Sequence, residues 1–155
     1  MTTYNIELKV NGEWREAEVT ATDTLLEVLR NNLEAVEVKN GCEQGDCGAC
    51  TVILEGKPVN SCLVLAVQAN GKEVTTVKGI GTPDSPHHLQ TAFVERGAIQ
   101  CGYCTPGLIV SAKALLDENP DPTRDEIREG ICGTLCRCTG YTKIVEALED
   151  AAGKT

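Results

Sequence analysis

Residues 41–51 read GCEQGDCGACT and place three cysteines on one short, glycine-rich loop. A fourth cysteine, Cys62, follows, so that the full spacing is C-x4-C-x2-C-x11-C. Glycines at 41, 45 and 48 let the backbone wrap closely and aim N–H groups at sulfur. Three thiolates lie on one tight loop, and a fourth comes from a neighbouring element. This arrangement predicts a metal site that cross-links and stabilises the first half of the chain.

The spacing of these cysteines is the plant-type [2Fe–2S] signature. The predicted cluster ligands in the first half are therefore Cys42, Cys47, Cys50 and Cys62. The alternative is a zinc loop or a group of free thiols. Intervals of four and then two residues between the cysteines, with interleaved glycines, are however unusual for zinc.

The composition excludes several classes of protein. The 155 residues include only one Trp, one Phe and three Tyr, which indicates small hydrophobic cores that need further stabilisation. The nine cysteines are an odd number, which fits a set of disulfides poorly. The N-terminal residues lack the pattern of a signal peptide, and no apolar run is long enough to span a membrane. We therefore expect a cytoplasmic protein with reduced thiols and no membrane insertion. The net charge of −9 argues against nucleic acid as a partner.

The first half of the chain has the pattern of a small mixed sheet. YNIELKV alternates apolar residues and ends at Asn11-Gly12, a strong hairpin signal, and CTVILEGKPVNSC predicts a second hairpin with its turn at 55–58. A capping-box pattern, Thr24 with Glu27, predicts a short helix at about 24–32. A final strand is predicted near 73–77.

The second half has a helical pattern. Beyond a linker rich in Gly and Pro, four amphipathic stretches predict four short helices: HHLQTAFVERG, TPGLIVSAKALLDENP, PTRDEIREGI and YTKIVEALEDAA. Such helices form a bundle. Thr123 and Glu126 make a second capping-box pattern, and Thr105 and Thr139 are predicted helix caps.

A second set of cysteines lies in this helical half. Cys101, Cys104, Cys136 and Cys138 have the spacing C-x2-C-x31-C-x1-C. An Fe2S2 core takes two thiolates on each iron, so a C-x-C pair can suit one such edge, although spacing alone does not establish it. A second iron–sulfur cluster and a zinc site both stay open for this set. The ninth cysteine, Cys132, is predicted to be a small buried residue at the end of a helix.

Three motifs in this order, GCEQGDCGACTV, QCGYCTPG and LCRCTGY, make nearly the whole chain resemble one family. It is similar to the small iron–sulfur subunit of the molybdenum hydroxylases, the xanthine oxidase family. The resemblance implies an α+β fold: an N-terminal β-grasp plant-type ferredoxin domain at 1–78, a linker at 79–88 and a four-helix bundle at 89–155. It also implies that each domain holds a [2Fe–2S] cluster, the second on the cysteines of QCGYCTPG and LCRCTGY.

The same resemblance implies an electron-transfer subunit of an oxidoreductase complex. Single electrons would pass from a molybdenum–pterin cofactor in a large partner subunit, through both clusters, to FAD in a medium subunit. The complex would be a heterotrimer or a dimer of heterotrimers, and this chain would perform no chemistry on the substrate. Gln100 and Cys138 match positions near the pterin. Thr134 stands where the family has Asn, so a slight difference in that loop is expected.

Two other functions are compatible with the residues themselves. A stand-alone two-cluster ferredoxin would carry electrons outside any complex, although a mobile carrier has little need of a second domain. A zinc-stapled binding module would contain zinc without iron or acid-labile sulfide. The substrate of the complex cannot be inferred from this chain, because that information would lie in the large subunit.

Overall fold

The computed structural model describes residues 2–153, and its first half is a five-stranded mixed sheet. The strands are β1 (Thr3–Val10), β2 (Glu13–Thr20), β3 (Thr51–Leu54), β4 (Lys57–Asn60) and β5 (Glu73–Thr75). They lie in the order β2-β1-β5-β3-β4. Strands β1 and β5 are parallel, and the other neighbouring pairs are antiparallel. The mixed sheet, both hairpins and the late strand are therefore confirmed.

Both hairpins turn on two residues of positive φ. Asn11 and Gly12 have φ of 51° and 89°, and Glu55 and Gly56 have φ of 50° and 79°. Two successive left-handed residues match the twist of the flanking strands. The second turn is thus shorter than the predicted 55–58, because β4 already begins at Lys57.

A short helical segment packs across the sheet. Helix α1 (Leu25–Glu27) continues as one π-helical turn, Val28–Asn32. The Thr24 hydroxyl accepts the N–H of Glu27 at 3.2 Å, and the Glu27 carboxylate accepts the N–H of Thr24 at 2.8 Å. The predicted capping box and helix at about 24–32 are therefore confirmed. Its buried face joins the core under the sheet, which consists mainly of aliphatic residues.

Five further helices follow the sheet. They are α2 (Val77–Ile80), α3 (His88–Glu95), α4 (Thr105–Glu118), α5 (Arg124–Ile131) and α6 (Thr142–Ala151). Helices α3 to α6 coincide with the four predicted stretches and share a second core. Its largest fully buried side chains are Leu89, Phe93, Leu108, Leu116, Ile127, Ile131, Ile144 and Leu148. Among residues 2–153, no helix has the length and apolar character needed to cross a membrane.

The two halves meet where α4 packs against β3. Helix α2 begins before the segment predicted as a linker and overlaps it at residues 79–80, and its first turn is capped by the buried hydroxyl of Thr76. Helix α3 begins under a side-chain cap from His87, whose Nδ1 accepts the N–H of Leu89 at 3.2 Å. These contacts place the loops of the sheet half directly beside the helical half.

Candidate metal centres

The first cysteine set lies on the loop before β3 and on the turn after β4. Cys50 immediately precedes β3, and Cys62 lies in a 3-10 turn, Ser61–Leu63, that follows β4. The antiparallel pairing of Thr51 with Asn60 therefore brings both cysteines to one end of the hairpin. The Ser61 hydroxyl donates to the carbonyl of Cys50 at 2.7 Å and closes that end.

Backbone amides surround the thiol of Cys42. The N–H groups of Gln44 and Cys47 donate to its Sγ at 3.5 and 3.4 Å. These two donors lower the pKa of Cys42 to about 7, because they stabilise the thiolate. The loop can wrap in this way because Gly45 and Gly48 have φ of 86° and 67°. The predicted amide donors to sulfur are thus present at this cysteine.

A close approach explains the glycine at position 41. A Cβ on Gly41 would lie 2.6 Å from the Sγ of Cys47, well inside van der Waals contact. The position therefore accepts only hydrogen while Cys47 keeps its present orientation. Gly41 is thus the third glycine of this loop, after Gly45 and Gly48, for which the structure supplies a physical reason.

Cys50 and Cys62 form the buried pair of this set. Burial, and next the neighbouring thiol of Cys50, raise the pKa of the Cys62 thiol to about 11. The thiol of Cys47 hydrogen-bonds to Cys42, and these two cysteines form the other pair. The charge of Cys42 also raises the pKa of Cys62, so the two pairs face one another. All four predicted residues thus converge at one end of the sheet.

The second set joins the turn before α4 to the turn between α5 and α6. The Sγ atoms of Cys138 and Cys101 lie 3.7 Å apart. Burial, and next the thiol of Cys136, raise the pKa of Cys104 to about 12. Each cysteine of the C-x-C motif therefore faces one cysteine of the C-x2-C motif, and the two do not act as a pair of their own.

Thr139 stabilises the charged form of Cys136. Burial raises the pKa of Cys136, but the Thr139 hydroxyl, 3.1 Å from its Sγ, and nearby backbone N–H groups outweigh burial and lower the pKa to about 7. The predicted helix-capping role of Thr139 is wrong, because α6 begins only at Thr142. The prediction for Thr105 is also wrong: Thr105 is the first residue of α4, and Cys104 holds the cap position without a side-chain bond.

Sequence reasoning missed Tyr141. Its hydroxyl accepts the N–H of Cys136 at 2.7 Å and donates to the carbonyl of Thr134 at 3.3 Å. The backbone of Tyr141 has φ of 67°, which is unusual for a residue with a bulky side chain. The only signal in the sequence was an aromatic residue directly after CRCTG. The phenol thus fixes the loop that carries both C-x-C cysteines.

Three other residues of this region were singled out in the sequence. Thr134 is buried, and its hydroxyl lies 3.3 Å from that of Ser111 on α4. Gln100 is exposed, and its side-chain amide donates to the carbonyl of Cys138 at 3.1 Å. Cys132 is exposed at the C-terminal end of α5, so its predicted burial is wrong. Helix α5 ends at the buried Ile131, and Cys132 follows as its exposed C-cap residue.

The donor chemistry fits two-iron clusters. All nine cysteines are free thiols, and eight of them lie in the four facing pairs described above. Facing pairs of thiols match the demand of an Fe2S2 core for two thiolates on each iron.

The chain matches two families of iron–sulfur domain. One model, described as a 2Fe-2S iron-sulfur cluster binding domain, covers residues 8–78, and another, described as a [2Fe-2S] binding domain, covers residues 76–149. The nicotinate dehydrogenase small FeS subunit of Eubacterium barkeri is 49% identical over 151 residues, which make up 97% of this chain and 96% of that protein.

Two solved structures share the whole fold. Quinoline 2-oxidoreductase from Pseudomonas putida 86 superposes with a TM-score of 0.93 at 43% identity, over 97% of this chain and 93% of that one. The aldehyde oxidoreductase from Desulfovibrio desulfuricans superposes with a TM-score of 0.92 at 50% identity, over 96% of this chain but 17% of that one. The second likeness is therefore to one part of a much longer chain.

Proposed function

Because the chain belongs to the family of small iron–sulfur subunits of molybdenum hydroxylases, we propose that it is the electron-transfer subunit of such a complex. It relays single electrons from a molybdenum–pterin centre in a large partner subunit to FAD in a medium partner subunit. The observation that carries the proposal is the convergence of eight thiols in two sets, each made of two facing pairs.

The proposed ligands follow from these pairs. One cluster is held by Cys42 with Cys47 and by Cys50 with Cys62; the other is held by Cys101 with Cys138 and by Cys104 with Cys136. When bound, each [2Fe–2S] cluster accepts and releases one electron. The chain's own part is to supply the thiolates and to place N–H and hydroxyl donors beside them. Such donors offset negative charge at sulfur and tune the reduction potential.

We propose a two-domain division of the chain. Residues 1–78 form a β-grasp ferredoxin domain, residues 79–88 a linker and residues 89–155 a four-helix bundle. The support is the separation of the buried apolar residues into two cores, one under the sheet and one among helices α3 to α6. Each core is small, so each domain gains from a metal staple.

The exposed side of the helical set is the proposed entry point for electrons. Cys101, Cys138 and Gln100 are all exposed, and the Gln100 amide is already tied to the carbonyl of Cys138. We propose that Gln100 and Cys138 lie against the pterin of the large subunit. Because Gln100 and Cys138 are exposed, a pterin held by the large subunit could contact both residues.

The proposed assembly is a heterotrimer, or a dimer of heterotrimers, in which this chain performs no chemistry on substrate. The support is the likeness over almost their full length to separate chains such as the nicotinate dehydrogenase small FeS subunit. We place the complex in the cytoplasm, because nine free thiols suit a reducing compartment.

Metal analysis and electron paramagnetic resonance (EPR) of the full chain, purified from its native cells, test this function. We expect two irons and two acid-labile sulfides for each of two clusters, two distinguishable reduced signals, and co-purifying molybdenum and flavin. Zinc without iron or sulfide would replace the proposal by a zinc-stapled binding module. A chain that is purified alone with both clusters would instead be a stand-alone ferredoxin.

A further inference from the structure

The two cysteine loops touch through glycine backbone. A Cβ on Gly48, in the first loop, would lie 2.2 Å from the carbonyl oxygen of Gly133, beside the second set. A Cβ on Gly107, in the first turns of α4, would lie 2.5 Å from the carbonyl oxygen of Gly48. We call these three residues, Gly48, Gly107 and Gly133, the glycine seam. Side chains at Gly48 or Gly107 would force the loops apart.

One hydrogen bond crosses the seam between residues of the two cysteine sets. The backbone N–H of Leu135 donates to the carbonyl oxygen of Cys47 at 2.9 Å. Cys47 belongs to the first set, and Leu135 is the neighbour of Cys136 in the second. One connection between the two sets is therefore backbone joined by a single hydrogen bond. Its length depends on how closely the two loops approach.

Gly107 has no local reason to be glycine. Its φ lies outside the left-handed region, and it belongs to the regular helix α4, where alanine is the better helix former. Gly48, by contrast, has φ of 67°, which by itself favours glycine. The close approach of the Gly48 carbonyl is thus the one contact in the structure that requires hydrogen at position 107.

We propose that Gly107 is a positioning residue that sets the distance between the two clusters. This inference rests on the proposed function. In electron transfer across the glycine seam, one electron leaves the reduced cluster of the helical half and reduces the cluster of the sheet half. No bond forms or breaks, and no proton moves. Electron tunnelling and magnetic coupling both fall steeply with distance, so a wider seam weakens both.

The chain offers a matched pair of variants for the test. Gly107→Ala adds a methyl group that collides with the Gly48 backbone, whereas Gly133→Ala adds one that meets nothing within 4 Å. The full chain, loaded with clusters and fully reduced, is measured by EPR for the mutual splitting of its two signals. We expect the splitting to narrow in Gly107→Ala and to stay unchanged in Gly133→Ala. Equal splitting in the wild type and both variants would overturn the inference.

The remaining outcomes separate this inference from the function on which it rests. A wild-type chain with fewer than two clusters would refute the proposed function. A fully loaded wild type whose two signals show no mutual splitting would refute the inference alone, even if neither variant folds. Loss of only the helical-half signal in Gly107→Ala would also refute it, because Gly107 would then serve its own cluster. Gly48→Asn provides a second variant, since asparagine tolerates positive φ and its side chain presses on the other contact of the seam, the carbonyl of Gly133.

Discussion

The Sγ atoms of Cys101 and Cys138 lie 3.7 Å apart, although 37 positions separate the two residues in the sequence. Helices α4 and α5 fill the interval and return the chain to its starting point. The C-x-C motif is thereby divided, with Cys138 facing Cys101 and Cys136 facing Cys104. One short motif thus supplies a thiolate to each of two pairs.

Replacing Cys101 by serine should remove one cluster and leave the other. Serine deprives only the helical set of a thiolate, and the first set lies on a different loop. In EPR of the reduced full chain, we expect one of the two signals to vanish and the sheet-half signal to survive. Cys132→Ser is the matched control, because Cys132 is exposed and outside both sets. Loss of both signals in Cys101→Ser would contradict the assignment.

Tyr141→Phe should change the potential of the helical-half cluster. The phenol oxygen accepts the N–H of Cys136, and its hydroxyl donates to the carbonyl of Thr134. Its removal therefore frees the loop around Cys136, a proposed cluster ligand. We expect a shifted midpoint potential for that cluster in a redox titration, and a stability loss of about 1–3 kcal/mol from the unpaired N–H. Tyr4→Phe, at an exposed strand position, is the control. An unchanged potential in Tyr141→Phe would show that the phenol only supports packing.

Glu37 should make the stability of the sheet half depend on pH. Burial raises its pKa, but its own N–H, the Thr76 hydroxyl at 2.8 Å and the Lys78 ammonium at 3.1 Å outweigh burial and lower it below 4.5. A lowered folded-state pKa stabilises the fold above the unfolded value, and this contribution is lost as the pH falls through the folded pKa. Glu37→Gln should therefore lower the denaturant midpoint at neutral pH, and the difference should shrink in acid. A difference that is equal at both pH values would exclude the carboxylate as its source.

The iron-free chain should react with iodoacetamide in a fixed order at pH 7. Cys42 and Cys136, with pKa values of about 7, are partly thiolate and should be alkylated first. Cys62 and Cys104, with pKa values of about 11 and 12, stay protonated and buried and should be alkylated last. Mass spectrometry of partly alkylated protein measures the order. Uniform labelling would mean that the donors around Cys42 and Cys136 do not form without metal.

Local patterns were predicted well because their cause is local. The capping boxes at Thr24 and Thr123 involve residues three positions apart, and the Asn11-Gly12 turn depends on two adjacent backbone conformations. The predictions for Thr105 and Thr139 failed although the contacts are local, because the two helices begin at other positions than the pattern indicates. Thr139 bonds to the thiol of Cys136 and to the N–H of Tyr141, contacts that a helix-cap pattern does not include.

The sequence by itself indicated the two groups of four cysteines that the structure brings together, the first through its spacing and the second through the resemblance to a known family. It also determined two hairpins and four of the helices, whose signals repeat every two or about four residues. Only the tertiary structure decided which cysteine faces which, that Cys132 is exposed, and that Gly48 and Gly107 press two loops together. The glycine contact follows from the packing of α4 against β3, and the facing of the cysteines in the helical half from the packing of α4, α5 and α6; no spacing along the chain records that packing.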